Sequence, residues 1–269
     1  MNKKHLTYPY IIWLIGFTII PLLIITYYAF TTFDGGITLS NLFNIPAKPV
    51  ILAIVLSLIS TIICLLMAYP LCLILSNMKL KNNNLIIFLF ILPMWMNFLL
   101  RTMAWQTILE KNGIINYLLM AIGLNPIKLI NTPLAIIIGM VYNFLPFMIL
   151  PIYNSLIKID TDIINASMDL GATKIQTFFK IILPLTKPGI MSAITMVFVP
   201  ALTTFAISDI LGGGKVFLIG NVIEHEFKQG DNWHVGSGLS FILMIFVLLS
   251  MALLKKYDVD YGNKGGKND

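Results

Sequence analysis

Few side chains that could do chemistry lie in or near the long apolar stretches of this chain, and Asp209 is the foremost of them. Phe205 precedes it by about one helical turn, and Ser208 adjoins it. A carboxylate neutralises a cation, and an aromatic ring facing an ammonium group contributes roughly 0.5–2 kcal/mol. These three residues predict a contact for a positively charged ligand, with an exposed carboxylate at a helix end as the competing interpretation.

A second set of candidates lies in the third and fourth apolar stretches and consists of Trp95, Asn97, Trp105 and Tyr142. Because tryptophan is enriched at membrane–water boundaries, an interfacial belt is a stronger interpretation of the two tryptophans than ligand contact. Arg101 lies among these residues and would repel a cation. We therefore expect Arg101 to pair with a carboxylate or a lipid headgroup.

The sequence lacks the patterns of a membrane enzyme. It has no HExxH motif and no paired carboxylates within an apolar stretch, so neither a metal site nor an acid–base pair is predicted. His5, His225 and His234 lie outside those stretches and are interpreted as ordinary loop residues. The GGGK sequence at Gly212–Lys215 lacks the glycine spacing of a nucleotide-binding loop. We expect no catalytic residue, metal or cofactor.

The elements that position the candidates are predicted to be membrane-spanning helices. Of the 269 residues, 58% are hydrophobic and only 11% are charged, whereas a soluble domain carries roughly a quarter charged residues. The uncharged runs provide the roughly 20 helical residues that cross a bilayer core, and barrel strands are about half that length. The sequence therefore predicts an all-α polytopic membrane protein with six transmembrane helices, at about residues 8–32, 50–77, 84–105, 132–154, 188–209 and 235–255.

Three smaller features accompany these spans. The stretch Asn112–Pro126 is too short to span and is expected to form an interfacial or re-entrant helix. The first span is too long for a signal-peptide core and no small-residue cleavage site follows it, so we expect it to be retained. Cys64 and Cys72 would lie roughly 12 Å apart along one helix, too far for a disulfide, and are interpreted as packing residues.

The distribution of basic residues predicts the orientation. If both termini are cytoplasmic, twelve of the 18 lysines and arginines fall on the inner side and six on the outer side. This excess agrees with the enrichment of positive charge in cytoplasmic segments. Topology thus accounts for the net charge of +6, and no nucleic-acid partner is predicted.

A polar segment, residues 158–187, interrupts the apolar pattern between the fourth and fifth predicted spans. Asp160 or Thr161 can cap a short helix that begins near Asp162. Gly171 stands where a helix commonly ends in a left-handed residue. One face of this helix would carry Ile163, Ala166, Ser167 and Leu170.

A second short helix is predicted directly after Gly171. Thr173 and Gln176 have the spacing of a capping box. The helix is predicted to stop at Pro184, and Pro188 suits the first turn of the next span. Its apolar face would carry Ile175, Phe178, Phe179 and Ile182.

The helix pair has two possible uses. A helix that lies on a lipid surface usually has a strongly basic polar face, but Lys174 and Lys180 are offset here by Asp160, Asp162 and Asp169. The alternative is a projection that docks into the groove of a partner protein. The charge balance favours the docking interpretation.

The segment resembles the cytoplasmic coupling loop in permease subunits of ATP-binding-cassette importers. That loop reads Glu-Ala-Ala, three residues, Gly, nine residues, then Ile-any-Leu-Pro, and this chain matches it at Ala166, Gly171, Ile181, Leu183 and Pro184. It departs at Asn165, where the family has glutamate, and at Ser167, where the family has a second alanine. The resemblance implies an ATPase-coupling role for Asn165, Ala166, Asp169, Gly171, Ala172, Phe178 and Pro184.

The resemblance extends over nearly the whole chain to the first of the two permeases of spermidine/putrescine importers, through Leu92–Trp105, Val141–Asp160 and Pro200–Ile223. It implies a type I importer permease fold with cytoplasmic coupling helices, in the lipid of a bacterial cytoplasmic membrane. The implied partners are a second homologous permease, two ATP-binding subunits and an extracytoplasmic polyamine-binding protein. A permease of the same family for thiamine, iron or an oxyanion is the alternative. The implied translocation path would use Asp209, Phe205, Ser208, Trp95, Asn97, Trp105 and Tyr142.

Overall fold

The computed structural model describes residues 8–43, 45–77, 90, 92–228, 230 and 232–262. The regular structure in these residues is helical, and one isolated β-bridge joins Thr31 to Ile37. The predicted all-α architecture is confirmed. The α-helices are α1 (Tyr8–Leu14), α2 (Ile20–Ala29), α3 (Ser40–Phe43), α4 (Ala47–Asn77), α5 (Phe98–Leu109), α6 (Ile114–Ala121), α7 (Pro133–Leu156), α8 (Thr161–Asp169), α9 (Lys174–Thr177), α10 (Leu183–Thr203), α11 (Ala206–Gly212), α12 (Ile219–Lys228) and α13 (Trp233–Gly262).

Several helical runs in the described part are long and apolar enough to cross a membrane. They are Pro9–Ala29, Ala47–Ser76, Pro133–Leu156, Lys174–Thr203 and Trp233–Leu253. Residues 84–89 and 91 of the predicted third span, residues 84–105, lie outside the described residues. Its described portion is a 3₁₀ turn, Leu92–Trp95, followed by α5. Five spans in the described part are consistent with the six that the sequence predicts.

Helices α4, α7 and α10 pack against one another and form the centre of the molecule. Gly189 of α10 lies so close to α7 that a Cβ atom there would clash with the side chain of Ser155. Such small-residue contacts let helices in a membrane approach closely. Cys64 and Cys72 of α4 are buried free thiols that pack on α7, with no disulfide between them, as predicted.

Helix α13 packs against α2 and α10. His234, the second residue of α13, is buried, and its Nδ1 lies 3.2 Å from the carbonyl oxygen of Tyr28. The interpretation of His234 as a loop residue is wrong, because the contact with Tyr28 fixes the start of α13 against the end of α2. His225 also lies on a helix, α12. His5 lies outside the described residues.

The fifth span begins earlier than predicted. Helix α9, a π-helical segment at Phe178–Ile182 and α10 form one continuous helix, so the predicted stop at Pro184 and the predicted start at Pro188 are both wrong. The π segment gives the physical reason. The N–H of Leu183 bonds to the carbonyl of Phe178, five residues back instead of four. The backbone hydrogen-bond pattern has therefore changed just before Pro184, the residue that has no N–H to donate. Pro21 follows an equivalent π segment in the first span.

Candidate functional site

The helix of the fifth span is interrupted beside the residues predicted to bind a cation. Helix α10 ends at Thr203, Thr204 takes an extended conformation with ψ 138°, and α11 begins at Ala206. The prediction that Asp209 ends the fifth span is therefore wrong, because the extended Thr204 places Asp209 on a separate short helix. Asp209 is exposed there, whereas Ser208 is fully buried. Interrupted helices in transporters are found where they line a cavity.

The side chain of Asn221, on α12, closes this helix break. Its Nδ2 donates to the carbonyl of Phe205 at 3.1 Å, and its Oδ1 accepts from the N–H of Leu218 and from the hydroxyl of Ser208. Gly220 allows the approach, because a Cβ atom there would lie 2.8 Å from the carbonyl oxygen of Thr204. The break is thus held by a buried polar network, and Ser208 has a structural partner instead of facing a ligand.

Two cavities adjoin the break and share Glu224 and Lys228 of α12 as lining residues. The larger, about 540 Å³, lies among α10, α12 and α13 and is also lined by Thr203, Phe205 and Phe227. The smaller, about 330 Å³, is also lined by Asp209, Phe217, Asn221 and His225. Two carboxylates, three phenylalanine rings and the negative end of the α10 dipole are groups that stabilise a cation.

Glu224, the carboxylate that lines both cavities, forms an ion pair with Lys228. Lys228 Nζ lies 2.6 Å from Glu224 Oε1, one helical turn away on α12. The hydrogen bond that Lys228 donates to Glu224 and the negative charges of Glu224 and Asp209 raise the pKa of Lys228 above its ordinary value. Asp209, Glu224 and Lys228 all line the smaller cavity, so the three charges lie in one neighbourhood.

The other predicted path residues lie away from these two cavities. Trp105 of α5 and Tyr142 of α7 form an edge-to-face pair with ring centroids 5.3 Å apart. Asn97 caps α5, since its side chain accepts hydrogen bonds from the N–H groups of Leu99 and Leu100. Trp95 is largely exposed on the 3₁₀ turn. None of Trp95, Asn97, Trp105 and Tyr142 lines either cavity.

Arg101 has no carboxylate partner in the described part of the chain. Its side chain is buried, and its Nε and Nη1 atoms have no hydrogen-bond acceptor there. The neighbouring Thr102 Oγ1 lies 3.5 Å from Nδ2 of Asn143 on α7, whose Oδ1 also lacks a partner. The expected carboxylate pairing of Arg101 is therefore not seen within these residues.

Residues 158–187, called the coupling segment from here on, have the geometry that local sequence rules predict. Asp160 caps α8 by accepting from the N–H of Asp162 at 2.9 Å. Gly171 has φ 84°, the left-handed conformation, and Thr173 with Gln176 forms the predicted capping box. The predicted cap, left-handed turn and capping box are confirmed.

The turn at Gly171 is also held by a contact between α8 and α9. The hydroxyl groups of Ser167 and Thr177 lie 2.9 Å apart, and both residues are buried. Ser167 also bonds to the carbonyl oxygen of Ile164 at 2.8 Å. Because one hydroxyl has one proton, Ser167 donates to Ile164 and accepts from Thr177.

The apolar faces of α8 and α9 are largely uncovered within this chain. Leu170 is 90% exposed, and Ile163, Ile175 and Phe179 are also exposed. Phe178 instead packs edge-on against Tyr69 of α4, with ring centroids 5.9 Å apart. Of the predicted apolar face of the second helix, Phe178 and Ile182 thus pack against the spans, and Ile175 and Phe179 remain exposed.

Sequence reasoning missed Asn221, Glu224, Phe227 and Lys228. The i,i+4 spacing of Glu224 and Lys228 predicts a helical ion pair, which is the one local signal available. No local pattern places α12 against the end of α10, because that contact depends on the turn at Gly213 and Gly214, both of which have positive φ. The position of α12 relative to the end of α10 was therefore the information that the sequence did not provide.

The fold and site define an all-helical membrane transport component, and comparison with known proteins agrees. Residues 4–256 match the family described as binding-protein-dependent transport system inner membrane component, and the chain belongs to this family. It is therefore a multi-pass, non-enzymatic permease component, and ATP hydrolysis in such a transporter is carried out by a separate subunit.

Two curated relatives are similar over most of their length. The spermidine/putrescine transport system permease protein PotB of Haemophilus influenzae is 43% identical over 249 residues, which cover 88% of this chain and 87% of the relative. The PotB protein of Escherichia coli K12 is 37% identical over 251 residues, covering 89% and 91%. A crystal structure of a bacterial ABC transporter that imports alginate contains a chain with TM-score 0.79 and 18% identity, with 94% of each chain covered. That structure supports the fold alone.

Proposed function

We propose that this chain is a permease subunit of an ATP-driven importer for polyamines such as spermidine and putrescine. The observation that carries the proposal is the pair of adjoining cavities at the helix break, lined by the carboxylates of Asp209 and Glu224, in a chain 37–43% identical to polyamine permeases. A polyamine carries several ammonium groups, which must exchange water for carboxylates and aromatic faces while crossing a bilayer.

The break supplies those groups along a short route. Glu224 contributes to both cavities, so an ammonium group can move from Asp209 to the face of Phe205 without leaving the neighbourhood of a carboxylate. The C-terminal end of α10 adds the negative pole of a helix dipole beside Thr203. Trp105 and Tyr142 would support this path through packing, Asn97 through capping of α5 and Ser208 through its bond to Asn221, whereas the exposed Trp95 fits the interfacial belt.

The coupling helices α8 and α9 are the second part of the proposal. Asn165, Ala166, Asp169, Gly171 and Ala172 would shape the projection that docks on an ATP-binding subunit. Phe178 and Pro184 would join the projection to the spans. The exposed apolar face that includes Ile163 and Leu170 is of the kind that a partner groove covers.

The proposed assembly has two ATP-binding subunits, a second homologous permease and an extracytoplasmic polyamine-binding protein. It lies in the lipid of a bacterial cytoplasmic membrane with both chain termini inside. A neighbour in the solved structures is a bacterial alginate transporter in complex with a periplasmic protein bound to an alginate pentasaccharide, which supports a binding-protein partner in general terms.

Uptake of radiolabelled spermidine tests the proposal in cells that lack other polyamine importers and express the whole transporter with or without this chain. We expect uptake that requires the chain and is competed by putrescine but not by thiamine or sulfate. Asp209→Asn should slow uptake at low spermidine while assembly and ATP hydrolysis persist. Asp34→Asn, at an exposed aspartate in the turn after α2, is the matched control and should transport normally. Thiamine or sulfate transport without spermidine transport would overturn the proposal.

A further inference from the structure

The ion pair between Lys228 and Glu224 lies on the wall shared by both cavities. A lysine side chain is an aminobutyl group, with a primary ammonium on four methylene carbons. Putrescine consists of the same four carbons with an ammonium at each end, and spermidine contains this unit. Lys228 therefore places the chemical equivalent of a polyamine end group on the shared carboxylate of the proposed path.

We propose that Lys228 is a tethered substitute for the substrate, which occupies Glu224 in the empty permease and is displaced when a polyamine ammonium arrives. The inference rests on the proposed function, since only an alkylammonium cargo is imitated by this side chain. It assigns Lys228 the role of a specificity-determining residue that competes with the cargo for one carboxylate.

The exposure of the two partners is suited to such an exchange. The Lys228 side chain is 70% exposed, whereas that of Glu224 is 21% exposed. On leaving Glu224, the ammonium of Lys228 can return to water at little cost, but Glu224 stays at the cavity wall and requires a cation. Exposed i,i+4 pairs stabilise a helix only weakly, equivalent to about a twofold change in an equilibrium constant. An incoming ammonium can therefore replace Lys228.

Asp209 gives a polyamine an advantage over a single cation. Asp209 lines the smaller cavity together with Glu224, and its charge also acts on Lys228. Lys228 has one ammonium and cannot neutralise both carboxylates fully. A diamine brings two ammonium groups to Glu224 and Asp209, whereas an inorganic monovalent ion brings one charge and must still displace Lys228.

Equilibrium binding of radiolabelled putrescine to the assembled transporter in lipid nanodiscs tests the inference. The assay omits the extracytoplasmic binding protein so that only the membrane subunits bind the probe. Lys228→Met keeps the length and removes the ammonium, and we expect it to lower the Kd about two- to fivefold. Lys228→Arg should keep a Kd near that of the wild type. Lys215→Met, at an exposed lysine in the turn before α12, should leave the Kd unchanged.

Two further variants separate competition from an effect on folding. The double variant Lys228→Met with Glu224→Gln should have the same Kd for putrescine as Glu224→Gln alone, because Lys228 then has no carboxylate for which to compete. In Lys228→Cys, a methanethiosulfonate reagent that attaches an aminoethyl group should weaken putrescine binding again, whereas one that attaches a methyl group should not. Cys64 and Cys72 are buried, so the introduced thiol is the reactive one among the described residues.

The outcomes separate the two proposals. An unchanged or raised Kd in Lys228→Met, with wild-type spermidine uptake intact, would show that Lys228 only stabilises α12 and would overturn this inference alone. Absence of spermidine uptake by the wild-type transporter would overturn the proposed function and this inference with it.

Discussion

The hydroxyl groups of Ser167 and Thr177 lie 2.9 Å apart and join the two coupling helices across the left-handed turn at Gly171. Both side chains are buried, so this contact fixes the angle between α8 and α9. The family pattern that the segment resembles has alanine in place of Ser167. The hydroxyl pair is thus a feature of this chain that the pattern does not contain.

Thr177→Val should weaken the coupling of ATP hydrolysis to transport. Valine has nearly the shape of threonine but leaves Ser167 without its donor, at a cost of about 1 kcal/mol. We expect a lower ratio of spermidine molecules imported to ATP hydrolysed. Ser167→Ala should lower the ratio at least as much, because it leaves the buried hydroxyl of Thr177 without its acceptor. Ser250→Ala, which removes a single exposed bond to the carbonyl oxygen of Phe246, is the control. An unchanged ratio in Thr177→Val would show that the contact does not set the coupling.

Gly171→Val should leave the chain inserted but lower the recovery of ATPase on purification and abolish ATP-driven uptake. No atom lies within 4 Å of a Cβ atom placed at Gly171, so the penalty is backbone strain at φ 84° and not a clash. That strain is roughly 1 kcal/mol or more and is greatest for a β-branched residue. Gly171→Ala should be milder, and Asn165→Ala milder still. Full ATPase recovery and uptake in Gly171→Val would identify the segment as a surface helix pair.

Asn221→Ala should destabilise the permease itself. The change leaves the buried N–H of Leu218 without its acceptor, at a cost of about 1–3 kcal/mol, and removes the bonds that join α12 to the carbonyl of Phe205 and the hydroxyl of Ser208. We expect a lower Tm for the purified transporter and reduced expression. Asn112→Ala, at an exposed asparagine, should leave the Tm unchanged. Equal Tm values for the two variants would exclude a structural role for Asn221.

Cysteine labelling should test the proposed orientation. Lys215→Cys and Asp169→Cys place thiols at exposed positions before α12 and on α8. A membrane-impermeant maleimide added to intact cells should label the first variant, and the second should react only after the cells are opened. The buried Cys64 and Cys72 contribute no background. Labelling of both variants from outside would overturn the orientation and the coupling role of α8.

The coupling turn could be predicted from sequence because its determinants are local. Asp160, Gly171 and Thr173 act on backbone groups within three residues of themselves, so spacing alone was sufficient. The continuation of α9 through Pro184 could not be predicted, because the π segment that accommodates the proline has no pattern in the residues. The role of Asn221 could not be predicted either, because its partners Phe205 and Ser208 lie up to 16 residues away across a turn.

The continuous helix from Lys174 to Thr203 has a mechanical consequence. Its 30 residues extend about 45 Å, from the capping box of the coupling segment to the wall of the larger cavity. Over that length, a tilt of about 5° at the coupling end displaces Thr203 by about 4 Å, more than the radius of an ammonium group. In the proposed assembly, a small tilt imposed on this helix where it meets the ATP-binding subunit would move the wall of the larger cavity.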